Sequence, residues 1–393
     1  MILFRFFWFC VLTSCVVCSV FLLKASLGLY IEDAVTYTVE TDYLHWETPF
    51  PAVTICEGRD INSSPVDEYL LTNNFSLNQK VFLKEVVFWQ KYCKSTCRKC
   101  VNCFKEFRDI VLPMRTECEG VLGKCSWDEE PFRCCDRFLP QASEYGLCFT
   151  FNSDFYGNGT IATISRKTGL SHLTFTALKT VHIKIHAPAD VATVGLQNVL
   201  IKCETLSVPM DFETILQVEQ TVTDPAVKSI SPESRDCVFR NEIPAPMEYW
   251  PFSMYSHSAC MLYCRAMFQF KHCACIHHLM PDIPGLPFCN LNGLLCISDL
   301  QGQISNITCV CPMDCDDLSY ISKHESCLKN TKTRETRGVI RFGYLPTLRV
   351  RRQPIKDALG FVVDVGGVAG VFFGASLLSI IEIIYLFCMR RER

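Results

Sequence analysis

The 393 residues hold no nucleophile elbow, no paired catalytic carboxylate motif and no phosphate-binding loop, so the usual grounds for reading an enzyme are missing. Charge of one sign is scarce as well. The formal net charge is -3, without the basic excess a nucleic-acid binder carries. What the chain has in quantity is cysteine, 26 of them, which argues against a reduced cytosolic protein. Its long apolar runs sit at the two extreme ends.

The first run, residues 2–23, is interrupted only by Arg5. A secretory signal peptide has this position and one charge near its start. Its apolar region spans only about 7 to 15 residues, however, and the residues after Lys24 make a poor cleavage site. A retained first membrane helix over residues 1–24 is the better reading. The second run, residues 359–389, is long enough for a hydrocarbon core that about 20 helical residues cross. It also carries Asp364, Glu382 and glycines at 366, 367, 370 and 374. A simple anchor needs none of these. An ionisable group costs roughly 3 kcal/mol at the centre of a lipid-facing helix, so such groups face water or a partner helix. This pattern points to a pore; the competing reading is a G-x-x-x-G packing face without conduction.

Between the runs, residues 25–358 hold 22 of the cysteines, Cys56 to Cys327, and four glycosylation sequons at Asn62, Asn74, Asn158 and Asn306. Both features belong outside the cell, which places both termini in the cytosol, with Arg390, Arg391 and Arg393 as inside charges on the tail 390–393. Arg349, Arg351, Arg352 and Lys356 lie on the supposed outer side and run against the positive-inside bias. Long loops translocate largely regardless of charge, so the cysteines and sequons decide.

Along the loop, Val35, Tyr37 and Val39 alternate as a strand would. FPAVTIC, Phe50 to Cys56, reads as a short strand entered from a turn, since prolines 49 and 51 prevent a central ladder position before Ala52. Residues 66–107 turn helical and end at Cys93, Cys97, Cys100 and Cys103. Zinc, with His277 and His278 recruited, is one reading of that cluster; disulfides suit the compartment and the spacing better. Cys118, Cys125, Cys134 and Cys135 extend it, with connectivity open. EYGLCFTFNS, VHIKIHAPADVAT and residues 199–222 make the middle β-rich. Cys260 and Cys264 share one helix face at i, i+4, and an extended C-x-C segment also presents both thiols on one side. A helix stapled to an extended neighbour follows; a generic secreted cysteine-rich module is the alternative.

FPAVTIC, GLCFTFN, YSHSACMLYC followed by CAC, CVCPMDCDDLSY and DVGGVAGVFFGASLLSIIEIIY, in this order between two apolar ends, resemble the degenerin/epithelial sodium channel family, most of all its insect pickpocket branch. The resemblance implies a membrane α+β fold. Two transmembrane helices would flank a disulfide-rich, β-rich extracellular domain of palm, finger (about 66–140), thumb (about 237–327) and knuckle. It implies a homo- or heterotrimeric channel in the plasma membrane lipid, sodium-selective and amiloride-sensitive, with Na+ as permeant ion and no cofactor or metal. An extracellular or mechanical stimulus, not identifiable from sequence, would gate it, and a stiff cross-linked lever would carry that stimulus to the membrane helices. A non-conducting auxiliary subunit or surface receptor of the same architecture is the alternative. Residue by residue, Gly374, Ala375 and Ser376 match the selectivity filter, where backbone carbonyls or a hydroxyl replace part of a cation's water shell. Gly370 matches a position shaping amiloride sensitivity, and Val363 one where bulk holds channels open. Asp364 would lie at the outer mouth and Glu382 toward the cytosol, about 27 Å apart on a continuous helix. The implied disulfides are Cys56 with Cys148, Cys237 with Cys315, Cys260 with Cys311, Cys264 with Cys309, Cys273 with Cys296, and Cys275 with Cys289.

Two family features have no counterpart in these residues. One is a His-Gly segment ahead of the first helix, which an in-frame extension upstream of Met1 would supply. The other is the tryptophan found before the first thumb cysteine in acid-sensing members, since Arg235 and Asp236 precede Cys237. Mass-spectrometric disulfide mapping is expected to recover Cys260 linked to Cys311; Cys260 bound elsewhere would remove the thumb assignment.

Overall fold

A computed structural model describes residues 2–31, 34–58, 64–88, 97–98, 103–155, 160–194, 203, 205–207, 209–243, 247, 249–305, 307–330, 335–356, 358–374, 376, 378–379, 381–382 and 385–386. The chain divides into two compact units. One comprises Met1–Val39, Val222–Cys237 and Val350–Arg393; the other comprises Glu40–Thr221 and Val238–Arg349.

In the first unit α1, Ile2–Ile31, runs through Lys24 and past the end of the apolar run. Its 30 residues span about 45 Å, and its Phe and Val side chains are exposed all round. Among the described residues it is the one helix long and apolar enough to cross a bilayer, with a mean hydropathy of 2.4. A second apolar helix, Ala358–Phe373, packs against it, and Tyr30 stacks on Phe361 at 5.0 Å between centroids. Its 16 residues span about 24 Å, short of a hydrocarbon core of about 30 Å. Two full spans are therefore not present as continuous helices among the described residues. Strand β1, Val35–Glu40, leads away from α1 and neighbours Arg349–Pro354 in its sheet.

The basic residues that conflicted with the charge bias are consumed within the fold. In the first unit Arg351 Nη2 meets Asp224 Oδ2 at 2.6 Å and the Arg352 guanidinium lies over the Tyr37 ring. In the second, Arg349 pairs with Glu40 at 2.6 Å and stacks over Trp46. Their positions reflect local partners and not topology.

The second unit is built on sheets. Strand β2, Thr48–Pro49, pairs with a short strand at Thr163–Ile164. Strand β3, Ala52–Glu57, is buried at every residue. It is not an edge strand: it lies inside a five-stranded sheet, between the strands Val181–His186 and Gly146–Phe151. The latter forms a hairpin with Phe138–Ser143. A larger sheet contains the parallel pair Met210–Thr223 and Thr336–Phe342, the long antiparallel strand Asp317–Lys329, and His172–Ala177 against Leu122–Trp127. The rings of Phe50, Trp127, Phe151 and Phe342 interlock in the core, with Phe50 centroids 4.7 Å from Trp127 and 5.6 Å from Phe342.

A polar chain crosses the smaller sheet inside the core. Gln141, Thr150, Thr54 and His186 are each at most 2% exposed. Thr150 Oγ1 lies 2.7 Å from the Gln141 amide and 2.8 Å from Thr54 Oγ1, which lies 2.7 Å from His186 Nε2. Two hydroxyl protons cannot supply three bonds. Turning the Gln141 amide so that its NH2 donates to Thr150 gives every link a donor, down to a neutral His186 whose Nδ1–H donates to Ala187 O.

Helices form a second apolar cluster. α2, Ser64–Thr72, and α3, Leu77–Val86, bury Leu70, Phe82, Leu83 and Val86 against Phe107, Met114 and Leu294. Ser76 starts α3 with a capping box to Gln79. α4, His257–Cys273, follows its N-cap Ser256 and ends at Ala274 in the left-handed region, φ 56°. α5, Leu291–Ser305, packs beside it, and the short apolar helix Ala358–Phe373 is α6.

Gly338 faces Phe175 across the antiparallel ladder, and the ring occupies the space a Cβ would take. Gly338→Ala is expected to destabilise the fold by about 1 to 3 kcal/mol, read as a lowered thermal midpoint of the detergent-solubilised chain.

Candidate functional site

In the first unit the apolar segment that carries the site is stopped and restarted. α6 ends at Phe373, and Gly374 takes φ 62° while its N–H donates to Gly370 O at 3.0 Å. A left-handed glycine is a common way for a helix to end. Ser376 then behaves as a helix start: its Oγ accepts from Ser379 N at 3.2 Å, and the two hydroxyls lie 3.1 Å apart. Leu378, Ser379, Ile381, Glu382, Tyr385 and Leu386 are helical again. The continuous helix expected from Asp364 to Glu382 is thus interrupted at Gly374. Ala375 lies outside the described residues. The same G-A-S that matches a filter is a stop and start signal for helix.

Asp364 is not a free charge. Its Oδ2 accepts from Ser26 Oγ of α1 at 2.6 Å and is contacted by Lys356 Nζ, which also donates to Ser26 Oγ at 3.2 Å. Val363, beside it, is 63% exposed. A Cβ on Gly366, Gly367 or Gly374 would meet nothing within 4 Å, so these glycines pack against no part of the described chain.

In the second unit the hairpin turn between Ser143 and Gly146 gathers two guanidinium groups. Arg265 of α4 donates from Nε and Nη2 to both oxygens of Glu144, at 2.7 and 2.8 Å, with both side chains under a tenth exposed. Val194 N adds a third donor at 2.6 Å. Arg115 donates to the carbonyls of Tyr145 and Val87 at 3.2 and 3.1 Å. EYGLC is therefore a junction as well as a strand.

Disulfides fix the helices around this junction. Cys56 bonds Cys148 across neighbouring strands; Cys260 bonds Cys311 and Cys264 bonds Cys309, tying α4 to an extended segment. Cys273 bonds Cys296 and Cys275 bonds Cys289, the left-handed Ala274 sending the two thiols apart. Cys237 and Cys315 are each disulfide-bonded. Cys118–Cys135 and Cys125–Cys134 resolve a connectivity the spacing left open. Cys97 and Cys103 are also oxidised, while Cys93 and Cys100 lie outside the described residues. Sequence reasoning missed Cys203–Cys327, two isolated cysteines with no local signal. Glu325 beside them completes a trio spaced like metal ligands, but the thiols are bonded to each other and offer no thiolate. Asn74 stands exposed in the turn before α3; Asn62, Asn158 and Asn306 fall outside the described residues.

The His277 and His278 rings lie 4.4 Å apart, tilted by 33°, and His278 Nε2 donates to Val86 O at 2.8 Å. Burial pushes His277 and His186 down to about 4 and holds His278 well below the ordinary histidine value, so all three are neutral. Asp314 is pushed up to about 8 by burial and by the nearby Asp190, although His257 N–H donates to its Oδ2.

The described residues thus hold a disulfide-stapled, β-rich unit and a unit with one bilayer-length apolar helix and one broken apolar helix. The chain belongs to the amiloride-sensitive sodium channel family, whose profile matches residues 1–386. It is 23% identical to the sodium channel protein Nach of Drosophila ananassae over 98% of this chain and 81% of that one. It is 22% identical to pickpocket protein 11 of Drosophila melanogaster over 98% and 71%. With acid-sensing ion channel 1C of Danio rerio it shares 25% over 88% and 71%. The family consists of plasma-membrane cation channel subunits with a large extracellular domain, not of enzymes.

The buried groups fix a stability profile. Between pH 4 and 6.5 the unfolded chain protonates His186 and His277 while the folded chain does not, so stability rises with pH. Asp314 acts oppositely: the folded chain keeps its proton up to about pH 8, so stability falls as pH rises from 3.8 to 8. The buried histidines outweigh the one aspartate below pH 6.5, and Asp314 sets the slope between pH 6.5 and 8. Thermal melts are expected to peak near pH 6.5, and Asp314→Asn to abolish the alkaline decline, roughly 2 kcal/mol.

Proposed function

We infer that this chain is a subunit of a sodium-selective, amiloride-sensitive cation channel of the plasma membrane, gated by an extracellular ligand or a mechanical stimulus. It assembles as a homo- or heterotrimer with related subunits, spans the bilayer at α1 and at residues 359–389, and keeps both termini in the cytosol. Gly374, Ala375 and Ser376 form the filter, with Val363, Asp364, Gly370 and Glu382 along the same path. The observation that carries this reading is the helix break at Gly374 inside an apolar segment bounded by Asp364 and Glu382. A lipid anchor gains nothing from an interrupted backbone or from carboxylates, whereas a water-filled path tolerates both. The alternative, an auxiliary subunit that does not conduct, draws on one specific observation: Asp364 is already neutralised by Lys356.

Whole-cell recording with external sodium replaced by an impermeant cation tests conduction. Loss of inward current, and a changed selectivity on Ser376 substitution, are expected. Unchanged current, or a partner's current modulated with selectivity untouched by Ser376, supports the auxiliary role instead.

A further inference from the structure

We propose that Lys356 is a tethered counter-cation for Asp364, and that this lysine sets the cation affinity at that end of the pore segment. The proposal rests on the reading of Asp364 as a pore residue.

The three groups close on one another. Lys356 Nζ reaches Asp364 Oδ2 and, at 3.2 Å, Ser26 Oγ; Ser26 Oγ donates to the same Oδ2 at 2.6 Å. Each donor in this triangle has an acceptor, and Ser26 is only 7% exposed, so α1 holds one corner fixed. The lysine and aspartate side chains are 24% and 35% exposed. The pair is neither dry enough to be locked by its own desolvation nor wet enough to be fully screened.

The consequence is electrostatic. An unpaired carboxylate in each subunit would concentrate cations at the mouth. With one ammonium per carboxylate that charge cancels, and an entering Na+ must displace Nζ from Oδ2. Lysine suits this role: its ammonium is a point charge on a flexible stem that can swing away, whereas an arginine fork would hold the carboxylate bidentately. Sequence position alone made Lys356 look like a topological anomaly. Its contact makes it part of the permeation path. A lysine that merely strapped α6 to α1 would affect stability and leave conductance and ion binding alone.

The test uses the full chain in planar bilayers, alone or with a related subunit, at about 10 mM and about 0.15 M sodium, where the Debye lengths are roughly 30 and 8 Å. Lys356→Gln is expected to raise unitary conductance at least about twofold at low salt, with a smaller gain at the higher. The gain should vanish in an Asp364→Asn background. Equal conductance of Lys356→Gln and wild type at both salts, or the same gain without Asp364, overturns the proposal. If Asp364→Asn alone alters conductance, the pore reading stands even then. Should no variant carry current, the channel reading fails and a second measurement still decides the pair. In nanodiscs, the melting point of Lys356→Gln should be higher in sodium chloride than in choline chloride, and that of wild type equal in both. No sodium-specific shift in Lys356→Gln overturns the counter-cation.

Discussion

The second unit turns on one buried ion pair. Glu144 sits at the tip of the hairpin formed by Phe138–Ser143 and Gly146–Phe151, and Arg265 reaches it from the middle of α4. Removing charges of this kind from water is expensive, and the pair is stable only because each carboxylate oxygen has its own guanidinium donor and Val194 N takes a further lone pair. Losing either partner would strand the other, at a cost of about 3 to 5 kcal/mol. The same turn requires Gly146 at φ 91°, with the Arg115 guanidinium packed where a side chain would be. Sheet, α3 and α4 are thereby keyed to a few consecutive residues.

Disulfides and core divide the remaining work. The interlocked rings around Phe50 hold the sheets together without covalent help, as close-packed interiors do. α4 is held covalently as well, through Cys260 and Cys264. Gly293 shows how tightly they are fitted: a Cβ there would collide with the sulfur of Cys275. Cross-links add stability by restricting the unfolded chain, most for pairs far apart in sequence such as Cys56–Cys148, 92 residues apart.

Much of this was readable beforehand where the signal is local. Alternation located the strands at Gly146 to Phe151 and Val181 to His186, while the one at Phe50 to Cys56 was marked by the prolines that precede it. The facing thiols of α4 followed from helical pitch. The unreadable parts are contacts made across long sequence separations. Cys203 and Cys327 carry no mutual spacing signal, and Glu144 and Arg265 are 121 residues apart. In the second apolar run the backbone departs from the continuous helix expected: Gly374 and Ser376 suggest what they could offer an ion, but they also act in the ordinary way as the end of one helix and the start of the next.

That break has a thermodynamic corollary. Each helix end leaves up to four carbonyl groups short of intrahelical donors, and hydrocarbon cannot hydrate them. A glycine that ends a helix partway along an apolar segment therefore creates a local demand for something polar at that depth. Water, a hydrated ion or a neighbouring backbone would each meet it; an acyl chain would not. The left-handed turn at Gly374 can thus be regarded as a solvation requirement written into the backbone, independent of any side chain that surrounds it.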